Sequence, residues 1–139
     1  MVDASVALKW LVVEEDAARA VELLQSGSDF FAPRLIIDEV ANALWKKTRR
    51  QLLKPSEAME RIRLLPRYFK ALLDISSMDV VLDMAMTIDH PIYDCIYLQA
   101  ARERGLPFIT ADSSFSNKAS MIPGINICKL SQWTSIAPP

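Results

Sequence analysis

The chain has 139 residues, of which 51% are hydrophobic and 24% are charged, and its formal net charge is −1. This length and composition are typical of an ordinary globular protein, so we expect a single domain over residues 1–139 rather than a disordered or fibrous chain. No apolar run is long enough to cross a membrane, and the balanced charge argues against a general nucleic-acid binder. Two cysteines, Cys95 and Cys128, are too few for a disulfide scaffold, which favours a cytoplasmic protein with reduced thiols.

Short apolar runs alternate with amphipathic segments along the chain. We predict strands at residues 2–4, 30–32, 72–75, 108–110 and 126–130. We predict helices at residues 5–11, 17–24, 80–88 and 92–104, a long helix after Pro33, and another that starts at Pro55. Strands that alternate with helices are typical of an α/β fold, here a three-layer α/β/α sandwich with a central parallel sheet.

Four acidic residues fall where an open parallel sheet binds ligands, beyond the carboxyl ends of its strands. Asp3 ends the first predicted strand, and Asp112 comes two residues after the strand that ends at Thr110. Asp94 lies in the first turn of a predicted helix, where the helix dipole favours a negative charge. Glu39 lies on the long helix after Pro33, on a face separate from the apolar stripe of that helix.

Carboxylates that converge in this way require a cation. At ~5 Å and an effective dielectric of about 20, each pair would repel by roughly 3 kcal/mol. Oxygen ligands without histidine or cysteine favour hard ions, so we expect Mg²⁺ or Mn²⁺. Such ions could activate water and stabilise the leaving oxygen of a phosphodiester, with the hydroxyls of Ser5 and Thr110 placed to position that water or a phosphate oxygen.

Each acid also has a purely structural explanation. Asp3 could cap the following helix, Asp94 could suit a helix start, Asp112 could cap a turn, and Glu39 could be a solvated helix acid. Two other classes of protein therefore stay open, a non-catalytic RNA-binding protein and a Mg²⁺-binding receiver-like module. Against the receiver, no lysine directly follows the strand at residues 108–110, and no acid pair follows the first strand.

Basic residues concentrate in one helical segment, which predicts contacts to an RNA backbone or, alternatively, a solvated helix face. The four candidates for RNA contacts are Lys46, Lys47, Arg49 and Arg50. Three aromatic residues could stack on bases, although burial is the commoner arrangement for their side chains: Trp10, Trp45 and Tyr68.

The sequence contains a single histidine, His90, which excludes a mechanism based on a pair of histidines. It stands directly before Pro91, and we interpret it as a turn residue. Cys95 adjoins Asp94, but successive helical residues are rotated by roughly 100°, so Cys95 is interpreted as a core residue.

Four segments together resemble the PIN-domain nucleases, and more narrowly the VapC toxins of VapBC toxin–antitoxin pairs. The segments are VDASVALKW at 2–10, DEVANAL at 38–44, YDCIYLQAA at 93–101 and TAD at 110–112. The resemblance implies a Mg²⁺- or Mn²⁺-dependent endoribonuclease, a homodimer, and inhibition by a VapB-like antitoxin. A partner helix that inserts a basic side chain among the acids would dock near Trp10, Leu11, Leu44 and Trp45.

The resemblance also assigns roles to single residues. The acidic, catalytic positions of the family fall on Asp3, Glu39, Asp94 and Asp112, of which Asp3, Asp94 and Asp112 are the expected metal ligands. The supporting hydroxyl and amide positions fall on Ser5, Asn42 and Thr110. Many relatives carry one more acid a few residues after the position of Asp112, but residues 113–117 of this chain contain none. We therefore expect one firm metal site, with a second filled only alongside RNA.

Overall fold

The computed structural model describes residues 1–75 and 77–134. The helices in these ranges are α1 (Ala4–Leu11), α2 (Ala17–Leu24), α3 (Leu35–Arg49), α4 (Pro55–Leu64), α5 (Met78–Ile88), α6 (Ile92–Arg104) and α7 (Ser113–Ala119). The strands are β1 (Phe31–Pro33), β2 (Ala71–Leu73), β3 (Phe108–Thr110) and β4 (Ile127–Lys129). Two short 3₁₀ turns, at Leu65–Tyr68 and Leu130–Gln132, complete the order.

A parallel sheet forms the centre of the molecule. β1 pairs with β2 and β3 pairs with β4, both in parallel. Met1 and Val2 join these pairs, because the N–H of Val2 donates to the carbonyl of Phe31 at 3.2 Å and the N–H of Ile109 donates to that of Met1 at 2.9 Å. The order across the sheet is therefore β2, β1, Val2, β3, β4. The strand predicted at residues 2–4 is a single bridge at Val2, because Asp3 already begins helix α1.

Two groups of helices enclose this sheet. In the first, α1 packs against α2 and α3, and α3 packs against α4; in the second, α5 packs against α6. Strands β1 and β3 are contacted from both groups, by α3 and α1 on one side and by α6 on the other. The arrangement confirms the predicted α/β/α sandwich. Within the described ranges, none of the helices combines the length and the apolar character needed to span a membrane.

The apolar stripe of α3 anchors that helix and orients its polar face outward. Ile36, Val40 and Leu44 are buried, whereas Glu39 is only half-buried. Cys95 is buried as well, which confirms its interpretation as a core residue.

The tryptophans differ from one another in their burial. Trp10 is buried, its indole N–H donates to the carbonyl of Ala20 at 2.9 Å, and its ring meets that of Phe30 edge-on at 5.1 Å. Trp45, in contrast, is 51% exposed. The expectation of burial is therefore wrong for Trp45, because the residue follows Leu44 by roughly 100° around the helix and leaves the buried stripe.

Candidate active site

Asp3 lies at the centre of the carboxyl end of the sheet, directly after Val2. Its carboxylate caps α1, since Oδ1 accepts the N–H of Val6 at 3.2 Å and also the hydroxyl of Ser5 at 2.5 Å. The side chain is buried, with 4% of the residue exposed. Burial raises the pKa of Asp3 to about 6, and the charge of Asp94 adds to this, although hydrogen bonding from Ser5, Thr110 and Val6 acts in the opposite direction.

Ser5 and Thr110 fasten the loop after β3 to this buried acid. The N–H of Ala111 donates to Ser5 Oγ at 2.9 Å, and the N–H of Asp112 donates to Thr110 Oγ1 at 3.0 Å. The two hydroxyl oxygens are 3.4 Å apart. Since the Ser5 hydroxyl gives its one proton to Asp3, its contribution is to orient the carboxylate and the loop that carries Asp112.

Glu39 reaches the site from the second turn of the chain's longest described helix, α3. The hydroxyl of Tyr97, a fully buried residue of α6, donates to Glu39 Oε2. Burial raises the pKa of Glu39; the hydrogen bond from Tyr97 opposes this, and the nearby charges of Asp94 and Asp38 add to it. Burial, followed by the charge of Glu39, strongly raises the pKa of Tyr97, so the phenol remains a donor. The sequence reasoning missed Tyr97, because its partner is 58 residues away.

Asp94 lies in the first turn of α6 and is held from outside that helix. His90 Nε2 is 2.7 Å from Asp94 Oδ2, and the imidazole stacks on the ring of Phe115 with 4.6 Å between centroids. His90 is therefore part of the site as well as of the turn before α6. The spacing of four residues between His90 and Asp94 is the sequence signal that could have found this contact.

Asp112 is exposed at the start of α7, where Oδ1 accepts the N–H of Phe115 at 2.9 Å. Asp94 is close enough to Asp3 and to Glu39 to raise the pKa of each. Over residues 1–75 and 77–134, however, no three His, Cys, Asp or Glu side chains stand close enough together to enclose a metal ion. Asn42 is exposed on the turn of α3 that follows Glu39.

The four carboxylates share one pattern of contacts. In the part of the chain that the structure describes, none of them pairs with a lysine or arginine. Each is hydrogen-bonded through at least one oxygen: Asp3 Oδ1, Glu39 Oε2, Asp94 Oδ2 and Asp112 Oδ1. Uncompensated carboxylate oxygens at a partly buried site are the donor chemistry that suits a hard divalent cation.

The basic residues of α3 are not equivalent. Lys47 Nζ donates to Glu14 Oε2 at 2.8 Å, so its charge is already paired. Lys46, Arg49 and Arg50 are exposed, and the Arg49 guanidinium lies 5.1 Å from the centre of the exposed Trp45 ring.

An apolar groove runs between α3 and α4, with a volume of about 360 Å³. Its apolar lining includes Ala41, Leu44, Trp45, Ala58, Met59 and Ile62. The partner groove was expected near Trp10 and Leu11, but both residues are buried in the core. That part of the expectation is wrong, and the accessible apolar surface lies further along α3.

Two comparisons with known proteins identify the family, and a third supports the fold. Residues 1–120 match the PIN domain family. The chain is 33% identical over 121 residues to ribonuclease VapC3 of Pyrobaculum aerophilum, an alignment covering 85% of this chain and 92% of that protein. Its fold resembles the crystal structure of PAE2754 from Pyrobaculum aerophilum, with a TM-score of 0.68, 24% sequence identity, and coverage of 94% of this chain and 89% of that one. The chain therefore belongs to the PIN-domain family and, within it, to the VapC proteins that its four acidic segments resemble.

Proposed function

We propose that this chain is a single-domain, Mg²⁺- or Mn²⁺-dependent endoribonuclease of the cytoplasm and the toxin of a VapBC-type pair. The observation that carries the proposal is the set of four carboxylates at the carboxyl end of the sheet, none of which pairs with a lysine or arginine of the described residues. The relationship to a protein named as a ribonuclease supports RNA as the substrate.

The four acids have different proposed roles, which follow from their surroundings. Asp3, Asp94 and Asp112 would hold the cation, which when bound would neutralise charge and activate water for in-line displacement at phosphorus. Ser5 and Thr110 hold the Asp3 carboxylate and the loop after β3 in fixed positions relative to each other. Burial raises the pKa of Glu39, which suits this side chain to orient the attacking water and take up its proton.

The polar face of α3 offers a path for the RNA backbone. Glu39, Asn42, Lys46 and Arg50 recur every three or four residues and so share one face of the helix. At 1.5 Å per residue, the two basic residues lie roughly 10 and 16 Å along the helix from Glu39. We propose phosphate contacts for Lys46, Arg49 and Arg50. Lys47, although a candidate from the sequence, contributes less because Glu14 neutralises it.

The α3–α4 groove is our proposed docking surface for an amphipathic helix of the cognate VapB-like antitoxin. Its lining is apolar, and it adjoins the basic end of α3. The substitution Met59→Glu should weaken antitoxin binding, measured by titration calorimetry, and leave RNA cleavage unchanged. We also propose a homodimer, which light scattering of the purified protein would test.

The central experiment is cleavage of a mixed structured RNA pool by purified protein. Reactions would contain Mg²⁺, Mn²⁺ or a chelator, and would compare the unmodified chain with Asp94→Asn. Asp83→Asn is the matched control, because Asp83 is an exposed acid on α5 that takes no part in the hydrogen bonds described for the four acids. We expect metal-dependent cleavage that Asp94→Asn abolishes and Asp83→Asn preserves. Cleavage that survives both chelator and Asp94→Asn would contradict the proposal.

A further inference from the structure

We propose that His90 is a positioning residue that fixes the orientation of the Asp94 carboxylate and connects it to helix α7, which Asp112 caps. This inference rests on the proposed function, because it concerns the cation for which these acids are suited. His90 itself is not a ligand in this proposal. It acts on Asp94 through a hydrogen bond and on Asp112 through Phe115.

The first contact is the hydrogen bond to Asp94. His90 Nε2 lies 2.7 Å from Asp94 Oδ2. A carboxylate that binds a cation only accepts hydrogen bonds, so in this proposal Nε2 carries the proton and donates it. The contact engages one oxygen and sets the rotation of the carboxyl group about its bond to Cβ. Asp94 Oδ1 has no hydrogen bond to the described residues and is the oxygen that such an arrangement presents to a cation.

The second contact is made by the face of the same ring. The imidazole stacks on Phe115 with 4.6 Å between centroids and 25° between ring planes. Phe115 is buried, and its backbone N–H donates to Asp112 Oδ1 at 2.9 Å. A single imidazole therefore contacts one acid directly and the residue that holds another acid.

The backbone around His90 limits how far the ring can move. The N–H of His90 donates to the carbonyl of Ala85 at 3.1 Å, and the following Pro91 has φ −53° at the start of α6. Lys118 Nζ of α7 donates to the carbonyl of Asp89 at 2.5 Å, which ties α7 to the same turn. The His90 side chain is 15% exposed. Restraint of this kind is what orientation of a ligand requires, because a mobile donor would not define one position of the carboxylate.

Three substitutions separate the hydrogen bond from the stacking contact. His90→Phe keeps an aromatic ring against Phe115 and removes the donor. His90→Gln keeps a donor of sufficient length and removes the ring, whereas His90→Asn has a donor that is too short to reach Asp94. A purely structural role for His90 would change the unfolding temperature of all three variants and leave the affinity of the folded protein for cations unchanged.

The test measures Mn²⁺ binding to each folded variant by titration calorimetry without RNA, together with thermal unfolding and the Mn²⁺ dependence of RNA cleavage. We expect His90→Phe and His90→Asn to weaken Mn²⁺ binding by roughly 10- to 100-fold, as loss of a hydrogen bond to a ligand does elsewhere. The Mn²⁺ concentration for half-maximal cleavage should rise in parallel. His90→Gln should restore most of the affinity.

Mn²⁺ affinity equal to that of the unmodified chain in both His90→Phe and His90→Asn would overturn the inference. So would a His90→Gln variant that binds Mn²⁺ no better than His90→Asn, a comparison that holds even if His90→Phe does not fold. An unmodified chain that neither binds Mn²⁺ nor cleaves RNA would instead overturn the proposed function, and the inference with it.

Discussion

Asp3 combines two demands that oppose each other. As the N-cap of α1 it stabilises the start of a helix, because Oδ1 accepts the N–H of Val6. As a buried carboxylate close to Asp94 it is unfavourable when ionised, which is why its pKa rises to about 6. The proposed cation would offset this cost, because it would stabilise the ionised form of Asp3.

The raised pKa of Asp3 predicts a specific dependence of stability on pH. Its pKa is about 6 in the folded protein against a reference of 3.8, so the protonated form is favoured by folding. This contribution to the free energy of unfolding is fully present below about pH 4 and is lost as pH rises through about 6. A shift of about 2 units corresponds to about 3 kcal/mol.

Urea unfolding in the presence of chelator, at a series of pH values, would measure this effect against Asp3→Asn. Asparagine keeps the capping oxygen but cannot ionise, so the variant should be the more stable protein near neutral pH by up to about 3 kcal/mol. The difference should shrink as pH falls toward about 4. Parallel stability curves for the two proteins would contradict the prediction.

Tyr97 makes a second prediction at this scale. Tyr97→Phe removes the donor to Glu39 Oε2 and leaves the half-buried carboxylate without its protein partner. We expect a loss of about 1 kcal/mol in unfolding free energy and a roughly 10-fold or larger loss of kcat for RNA cleavage. Tyr68→Phe is the control, because Tyr68 packs against Trp10 at the far end of α1 from Asp3. Equal kcat in the two variants would exclude a role for Tyr97 in the site.

At the level of elements, local signals predicted the helices better than they predicted the site. Pro91 and Gly105, the latter with φ 60°, begin and end α6 where the sequence indicated. The sequence did not predict α7, because its residues are mostly polar and only Phe115 and Ala119 supply apolar side chains in the buried face. The contacts of Tyr97 and of Phe115 join residues of different elements, so periodicity within one segment carries no information about them.

The position of Trp45 within α3 explains why its predicted burial, which rested on residue type alone, is wrong. Trp10 is confirmed as a core residue, whereas Trp45 stands outside the stripe formed by Ile36, Val40 and Leu44. The period of the helix, applied to Trp45 as it was to Glu39, would have predicted its exposure.

The exposed basic end of α3 predicts a loss of RNA affinity that does not depend on the RNA sequence. The double variant Lys46→Ala, Arg50→Ala should bind RNA more weakly. The slope of log K against log [salt] should also become shallower, by about 0.7 for each contact to a phosphate of single-stranded RNA that is lost. Filter binding at several salt concentrations, in an Asp94→Asn background that prevents cleavage, would measure this. Lys47→Ala is the matched control, since Glu14 already pairs with Lys47, and it should keep the original slope.

At the level of the whole molecule, binding of cations should be visible as added stability. A ligand that binds only the folded state adds RT ln(1 + [L]/Kd), or about 1.4 kcal/mol for each tenfold rise in concentration above Kd per bound ion. Residues 113–117 contain no acid, so we expect one bound ion in the absence of RNA. The free energy of unfolding should then rise with the logarithm of the Mn²⁺ concentration at the slope for a single ion. Urea unfolding at a series of free Mn²⁺ concentrations gives the slope, and twice this value would mean two ions.

The bridge at Val2 has a consequence for how the protein is made. Val2 stands between β1 and β3, and Ser5, next to the first acid, is 105 residues from the Thr110 hydroxyl beside it. A nascent chain leaving the ribosome therefore exposes Asp3 long before β3 exists to hold it, and contacts so distant in sequence form late. Fragments released by interrupted translation before β3 would lack an assembled site. We therefore expect the protein to become active only once nearly the whole PIN domain has been translated.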